Sequence, residues 1–114
     1  MTRSKQDQPQ KTPLSIDRMI HEPARLLLMS HLYVVESADF VFLMSRTRLT
    51  QGNLSTHMSR LEAAGYVQIQ KEFLHRKPHT LYRLTEEGRK AFEEYRRTMQ
   101  QMLSAENGEA NPAE

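Results

Sequence analysis

The chain has 114 residues, 38% of them hydrophobic and 26% charged, with a formal net charge of +2. This length suits one domain, and no apolar run approaches the roughly 20 residues that a membrane-spanning helix needs, so membrane insertion is not expected. With no cysteine and no signal sequence ahead of the domain, disulfides and thiolate metal sites are excluded and a cytoplasmic location is expected.

The N-terminal part of the chain is predicted to begin with a disordered basic arm, residues 1–12. Ser15 is a suitable N-cap for a short helix within residues 13–20. Pro23 suits the first turn of a longer helix, because the N–H group that proline lacks has no partner at that position. This second helix is predicted to continue through residues 24–35.

Two further helices are predicted from their capping residues. Asp39 is an N-cap for a short helix over residues 40–47, and Thr50 is an N-cap for a longer one over residues 51–64. Gly65 ends the longer helix, because glycine readily adopts the left-handed conformation that follows a helix. The two helices are separated by a very short link.

The hydrophobic period then changes from helical to alternating. Residues 66–73 and 79–84 alternate apolar and polar side chains, which predicts two half-buried strands joined by a basic turn at residues 74–78. Thr85 caps a last helix, residues 86–103, whose first turn carries two glutamates.

The predicted order is α-α-α-α-β-β-α, a mainly α fold with a small β-hairpin. A helical cluster followed by a hairpin with a basic tip is the winged helix-turn-helix arrangement. We expect one domain over residues 13–103, followed by a disordered acidic tail at 104–114.

The helix at residues 51–64 has an unusual outward face. Helical periodicity places Leu54, Met58 and Leu61 on its buried side, and mainly glycine, serine, threonine and amide side chains on the other side. A solvated face is usually filled with Glu and Lys, whereas this one is nearly free of acid. Small side chains allow a close approach to another surface, and hydroxyls and amides hydrogen-bond phosphates or base edges. The alternative is an idle face of weak helix formers.

Positive charge is concentrated around this helix and the hairpin. From Arg46 to Arg83 the sequence has seven Lys and Arg residues and two acidic ones, a net charge of +5. This charge favours nucleic-acid binding, with the basic tip on the backbone or in the minor groove, over a merely solvated turn. The predicted DNA-binding residues are Arg46, Arg48, Thr50, Gln51, Gly52, Asn53, Ser55, Thr56, Ser59, Arg60, His75, Arg76, Lys77 and Arg83.

Three blocks of sequence carry a resemblance to a known family: LTQGNLSTHM at 49–58, LEAAGYV at 61–67 and TLYRLTEEG at 80–88. They resemble the winged-helix transcriptional regulators of the MarR/ArsR superfamily, in particular the small stand-alone winged helix DNA-binding domains. The resemblance implies that the helix at 50–64 is a recognition helix and that Arg76 and Lys77 belong to the wing. It also implies a homodimer that binds a pseudo-palindromic site.

No cofactor, metal or catalytic activity is expected. The metal-sensing branch of the superfamily uses cysteine thiolates, which this sequence lacks. His75 and His79 have a ligand-like spacing, but Pro78 lies between them and no third ligand is near in sequence. The sequence has no catalytic motif, and it does not indicate whether a small-molecule effector controls DNA binding.

Dimer contacts are expected on the first long helix and on the last helix. Apolar residues of the last helix follow a spacing of four and three, which is typical of a helix seam. Packing within one chain is the alternative. The predicted interface residues are Leu27, Tyr95, Met99, Met102 and Leu103.

These features favour a sequence-specific, dimeric DNA-binding transcriptional regulator. Helix 50–64 would enter the major groove, and the wing at 74–79 would contact the backbone or the minor groove. The alternative is a winged-helix protein-interaction module whose small helix face docks a partner helix. RNA binding is less favoured, because the hairpin has no pair of outward aromatic side chains suited to base stacking.

Overall fold

The computed structural model of the chain describes residues 15–104, which form four α-helices and a three-stranded antiparallel sheet. Strand β3 lies between β1 and β2. This arrangement confirms the predicted winged helix-turn-helix fold. In chain order the elements are α1 (Pro23–Tyr33), β1 (Ala38–Asp39), α2 (Phe40–Thr47), α3 (Gln51–Ala63), β2 (Val67–Leu74), β3 (Lys77–Leu84) and α4 (Glu86–Ser104).

The short helix predicted at residues 13–20 is wrong in the part that the structure describes. Residues 15–17 have no regular structure and 18–20 form a turn. The Asp17 carboxylate accepts hydrogen bonds from the backbone N–H of Met19 (2.9 Å) and Ile20 (3.3 Å), and its carbonyl accepts one from His21 N–H (2.8 Å), so the capping residue is Asp17 and not Ser15. Only a single turn follows, because Pro23 begins α1 six residues after Asp17. The second oxygen of the Asp17 carboxylate accepts a bond from the Tyr66 hydroxyl at 2.6 Å, which ties the segment to the domain.

Strand β1 is absent from the sequence-based prediction. It has only two residues, Ala38 and Asp39, paired with Tyr82 and Leu81 of β3. Two residues cannot show an alternating pattern, so hydrophobic periodicity does not detect such a strand. The predicted arm at 1–12 and the tail at 105–114 lie outside the described residues, and Ser104, predicted to begin the tail, is the last residue of α4.

The core lies between α1, α2, α3 and one face of the sheet. Its fully buried side chains come from the turn before α1 and from the three helices. Strands β2 and β3 add Val67, Tyr82 and Leu84, and α4 adds Phe92 and Tyr95. Within residues 15–104, none of the helices is long and apolar enough to cross a bilayer. The fully buried residues are Ile20, Leu28, Met29, Leu32, Leu43, Leu54, Met58 and Leu61.

Helix α4 is fixed to the domain at its first turn. The Thr85 hydroxyl accepts a bond from Gly88 N–H (2.9 Å) and donates to the Gly65 carbonyl (2.6 Å), so the predicted cap also joins α4 to the end of α3. A side chain at Gly88 would collide with the backbone of Tyr66, because its Cβ would lie 2.1 Å from the Tyr66 carbonyl oxygen. This close approach requires glycine.

Candidate nucleic-acid interface

Helix α3 presents an exposed polar face and a buried apolar one, as its sequence period predicts. Leu54, Met58 and Leu61 are buried. Glu62 is the only carboxylate of α3 and lies in its last turn. A shallow recess of about 430 Å³ runs along the outward face between Ser55 and Ala63. The exposed residues that the sequence assigned to DNA are Gln51, Gly52, Asn53, Ser55, Thr56, Ser59 and Arg60.

Both ends of α3 are held by hydrogen bonds. The Thr50 hydroxyl accepts a bond from Asn53 N–H at 3.1 Å and serves as the N-cap. At the other end Gly65 has a φ of 86°, its N–H bonds the Glu62 carbonyl (2.9 Å), and the Tyr66 N–H bonds the Leu61 carbonyl (2.9 Å). These two bonds form a Schellman motif. The Thr50 hydroxyl oxygen thus positions the start of α3, while its O–H is still free to donate to a phosphate.

The back of α3 is supported by α1 through His57. The Arg25 guanidinium lies 3.2 Å from His57 Nδ1, and because guanidinium can only donate, Nδ1 accepts. Arg25 Nε also donates to the Met19 carbonyl at 2.6 Å. His57 therefore has a structural role, anchoring α3 to α1 and the turn that precedes it.

Helices α2 and α3 are joined by the three residues Arg48, Leu49 and Thr50. Arg48 ends α2 in the left-handed conformation (φ 62°), and its N–H donates to the Met44 carbonyl at 2.9 Å. The Arg46 guanidinium lies 4.8 Å above the Phe42 ring. Arg46 and Arg48 are both exposed at the helix-turn-helix corner.

The wing has a tighter tip than the sequence predicts. Leu74 and Lys77 pair as strand residues, so only His75 (φ 52°) and Arg76 (φ 69°) form the turn. Two central residues with positive φ are characteristic of a type I′ hairpin. The prediction that Pro78 belongs to the turn is wrong, since Pro78 lies within β3, opposite Phe73.

Proline is tolerated in β3 because the neighbouring strand β1 pairs with only part of β3. β1 pairs with β3 at Leu81 and Tyr82 alone. Pairs in an antiparallel ladder alternate in hydrogen bonding, so the pair next to the turn-flanking one, Phe73 and Pro78, exchanges no N–H···O bond. At Pro78 no other strand lies alongside β3 on the side away from β2. The N–H group that proline lacks would be on that side, so its absence leaves no carbonyl unpaired.

Left-handed backbone is concentrated in this surface. Among residues 15–104, the non-glycine residues with positive φ are Arg48, His75 and Arg76. Each such residue costs on the order of 1 kcal/mol or more, and such strain clusters at functional sites. All three positions were predicted from the sequence to contact DNA.

Lys71 belongs to this surface although the sequence-based list omits it. In β2 it shares the parity of Val67 and Ile69, so its side chain projects from the sheet face that packs on the helices. It lines a groove of about 360 Å³ between α3 and the wing, together with Gln51 and Ser55. The same alternation that predicts the strand would have placed Lys71 beside α3.

Arg83 and Tyr95 are not where the sequence-based hypothesis needs them. Arg83 pairs with Gln68 on the opposite sheet face from Lys71, so it is not brought together with α3. Tyr95, predicted as a dimer contact, is only 6% exposed, and its hydroxyl lies 2.8 Å from His21 Nδ1. Its ring is part of the core of its own chain.

His79 joins the wing to the start of α2. Its Nδ1 lies 2.9 Å from Glu72 Oε2, and its Nε2 lies 3.3 Å from Asp39 Oδ2. The hydrogen bonds with Glu72 and then with Asp39 raise the pKa of His79 above its ordinary value of 6.5. The bond from Phe42 N–H lowers the pKa of Asp39, which is also the N-cap of α2.

Known proteins share this architecture. The winged helix DNA-binding domain family matches residues 24–103. The uncharacterized protein MJ0432 from Methanocaldococcus jannaschii is 31% identical over 78 residues, which is 68% of this chain and 85% of that protein. A transcriptional regulator homologue from Pyrococcus horikoshii OT3 has a TM-score of 0.74 and 26% identity, over 78% of this chain and 88% of that one.

BpsR from Bordetella bronchiseptica, whose DNA binding is regulated by 6-hydroxynicotinic acid, has a TM-score of 0.60 and 24% identity, over 87% of this chain and 70% of that one. This likeness concerns the fold. The matched family is defined by DNA binding, and the expected resemblance to winged-helix transcriptional regulators is confirmed. The chain belongs to the winged helix DNA-binding domain family.

Proposed function

We propose that this protein is a sequence-specific, homodimeric transcriptional regulator that binds duplex DNA. The observation that carries the proposal is the outward face of α3, which is exposed, small and free of carboxylate from Gln51 to Arg60, beside a basic wing. Such a face allows the helix backbone to approach the floor of the major groove without repelling phosphates. The cytoplasmic location expected from the sequence is part of the same proposal.

The proposal divides the surface by role. Arg46, Arg48, Arg76 and Lys77 are exposed at its two ends, which suits contacts with phosphates on either side of α3. Base contacts come from the outward face of the helix, where Gln51, Asn53, Thr56 and Arg60 are exposed. Lys71 adds a positive charge to the floor of the groove between α3 and the wing.

Salt dependence of binding tests the proposal. With roughly six to ten phosphate contacts per dimer, affinity for duplex DNA should fall by about 10³ to 10⁵ between 50 and 200 mM salt. Fluorescence anisotropy with a labelled duplex and the full chain measures this slope. An affinity that stays flat with salt would contradict the proposal and favour a protein-docking role for the α3 face.

Two single variants test the division of roles. Arg76→Ala should weaken binding to all duplex sequences alike and reduce the salt slope, because it removes a phosphate contact. Asn53→Ala should change which sequence is preferred, because it removes a base contact. The opposite pattern would show that the roles are wrongly assigned.

A further inference from the structure

The tip of the wing carries an exposed aromatic side chain amid positive charge. Phe73, near the end of β2, is 75% exposed. It is neither a core residue nor one of the side chains packed against the core of the described chain. An aromatic ring left exposed at the tip of a hairpin is available to a partner outside the chain.

The direction of this side chain follows from the strand register. Phe73 has the same parity as Lys71, whose side chain lines the groove beside α3. Its cross-strand partner is Pro78, so the two form an apolar pair on that face. Phe73 lies about 7 Å beyond Lys71 along the strand, because a strand rises about 3.4 Å per residue. The apolar tip therefore faces the same side as the recognition surface, one step further out.

The surrounding charge indicates what this tip meets. Lys71 precedes Phe73 on the same face, and the exposed residues His75, Arg76 and Lys77 follow it. Two of these occupy left-handed positions that glycine and asparagine adopt at lower cost. A cationic, strained turn around an apolar pair is complementary to a polyanion that also offers stacked apolar surfaces, as the minor groove of DNA does.

We propose that Phe73 is a wedge that enters the minor groove beside the α3 site, inserts between neighbouring base pairs and kinks the duplex. The proposal rests on the proposed function, because α3 must first place the wing on DNA. Flexible pyrimidine–purine steps unstack more easily than A-tracts, so the wedge adds a preference for a TA or CA step at a fixed distance from the bases that α3 contacts.

The test compares two neighbouring apolar residues of β2. Phe73→Ala removes the wedge, and Phe73→Leu keeps an apolar one. Leu74→Ala is the matched control, since Leu74 is 47% exposed but projects from the opposite sheet face. The probe is the duplex that the full-length wild-type chain selects from a random-sequence pool, labelled at both ends for energy transfer, and circular dichroism checks that each variant is folded.

The wild-type chain and Leu74→Ala should bend this duplex by about 20° or more, whereas Phe73→Ala should leave it nearly straight and Phe73→Leu should bend it partly. Replacing the flexible step by an A-tract should weaken wild-type binding about tenfold, and binding of Phe73→Ala by less than about twofold. Equal bending and equal step preference in wild type and Phe73→Ala would overturn the wedge.

Other outcomes also decide the matter. If the wild-type chain binds the selected duplex with strong salt dependence and does not bend it, the wedge fails while the proposed function stands. If the chain binds no duplex specifically, both fail. A change in oligomeric state of free Phe73→Ala by sedimentation would assign Phe73 to a contact between copies. Phe73-dependent binding to phosphatidylserine vesicles would assign it to a membrane surface, and either result overturns the proposal.

Discussion

His79 shows how one side chain can couple the wing to the helix-turn-helix. Both of its ring nitrogens face carboxylate oxygens, those of Glu72 and Asp39. A carboxylate can only accept, and a neutral imidazole has one N–H, so only the protonated ring satisfies both bonds. The cations nearest to Glu72 and His79 along β2 and β3 are Lys71 and Lys77. From α3, the adjoining groove receives only the uncharged side chains of Gln51 and Ser55.

This geometry predicts a pH dependence of stability. Because folding raises the pKa of His79, its contribution is complete below the unfolded value of 6.5 and is lost as pH rises through the folded pKa. Asp39 has a lowered pKa, so its contribution is present above 3.8 and is lost as pH falls through the lower folded pKa. Imidazole NMR should show His79 titrating above 6.5, and Glu72→Gln should shift that pKa downward.

The corresponding unfolding experiment uses His79→Gln. The difference in melting temperature between wild type and variant should be largest below pH 6.5 and should shrink as pH rises toward 9, because the wild-type ring loses its proton as the pH passes its folded pKa. A difference that is constant across this range, or a His79 that titrates at or below 6.5, would mean that the imidazolium bridge does not form.

Two glycines, one in helix α3 and one in helix α4, differ in how much space surrounds them. A Cβ at Gly52 would meet nothing within 4 Å, whereas one at Gly88 would lie 2.1 Å from the Tyr66 carbonyl oxygen. Gly52→Ala should raise the free energy of unfolding by about 0.5–1 kcal/mol, and Gly88→Ala should lower it by about 1–3 kcal/mol or more. Urea unfolding measures both.

The Gly52→Ala variant should nevertheless bind DNA more weakly, by roughly tenfold or about 1.4 kcal/mol, because its methyl group lies on the face closest to the groove. If it is more stable and binds its site as well as wild type, the close approach of the N-terminal end of α3 to DNA is contradicted.

In the wing turn, too, the residues present carry charge but lower the stability of the fold. Asn-Gly is the favoured pair in a type I′ turn, so His75→Asn combined with Arg76→Gly should relieve strain and stabilise the protein by about 1 kcal/mol, or roughly 4–8 °C in melting temperature. The same double variant should bind DNA less tightly because it loses the Arg76 cation. Arg76→Lys, which keeps both charge and strain, is the control and should bind nearly as wild type does.

Most of the elements that place this surface were predictable from the sequence because their signals are local. Asp39, Thr50 and Thr85 each cap the helix they were predicted to cap. The errors arise where tertiary contacts decide. Asp17 caps a single turn and accepts a bond from Tyr66, where the sequence predicts a helix capped by Ser15. The Tyr95 ring packs in the core, with its hydroxyl beside His21 Nδ1.

The wing was also only partly predictable. Basic residues mark its tip in the sequence. The two-residue turn, however, requires positive φ at His75 and Arg76, which these residue types disfavour, so the turn could not be inferred from the sequence. Lys71 was missed because it was counted as charge without using its place in the alternation. The pairing of β1 with β3 and the hydrogen bond between Asp39 and His79 join residues at least 40 positions apart, which no local pattern reveals.

In the whole molecule, the surface available for the proposed dimer lies on α1 and at the end of α4. Leu27 is 39% exposed and Leu103 is 60% exposed, while Met99 and Met102 are half-buried. A 13-residue helix such as α3 spans about 20 Å and reaches one half-site, so two copies are needed to contact a longer operator. We therefore expect Leu103→Glu to weaken self-association in sedimentation equilibrium.

Selection of bound duplexes from a random-sequence pool by the 114-residue chain tests directly whether α3 recognises a DNA sequence. A dimeric, sequence-specific regulator should enrich a palindromic motif with half-sites about one helical turn, or roughly 10 base pairs, apart, bound by two chains. A pool that shows no enriched motif after selection would contradict the claim that α3 recognises a DNA sequence.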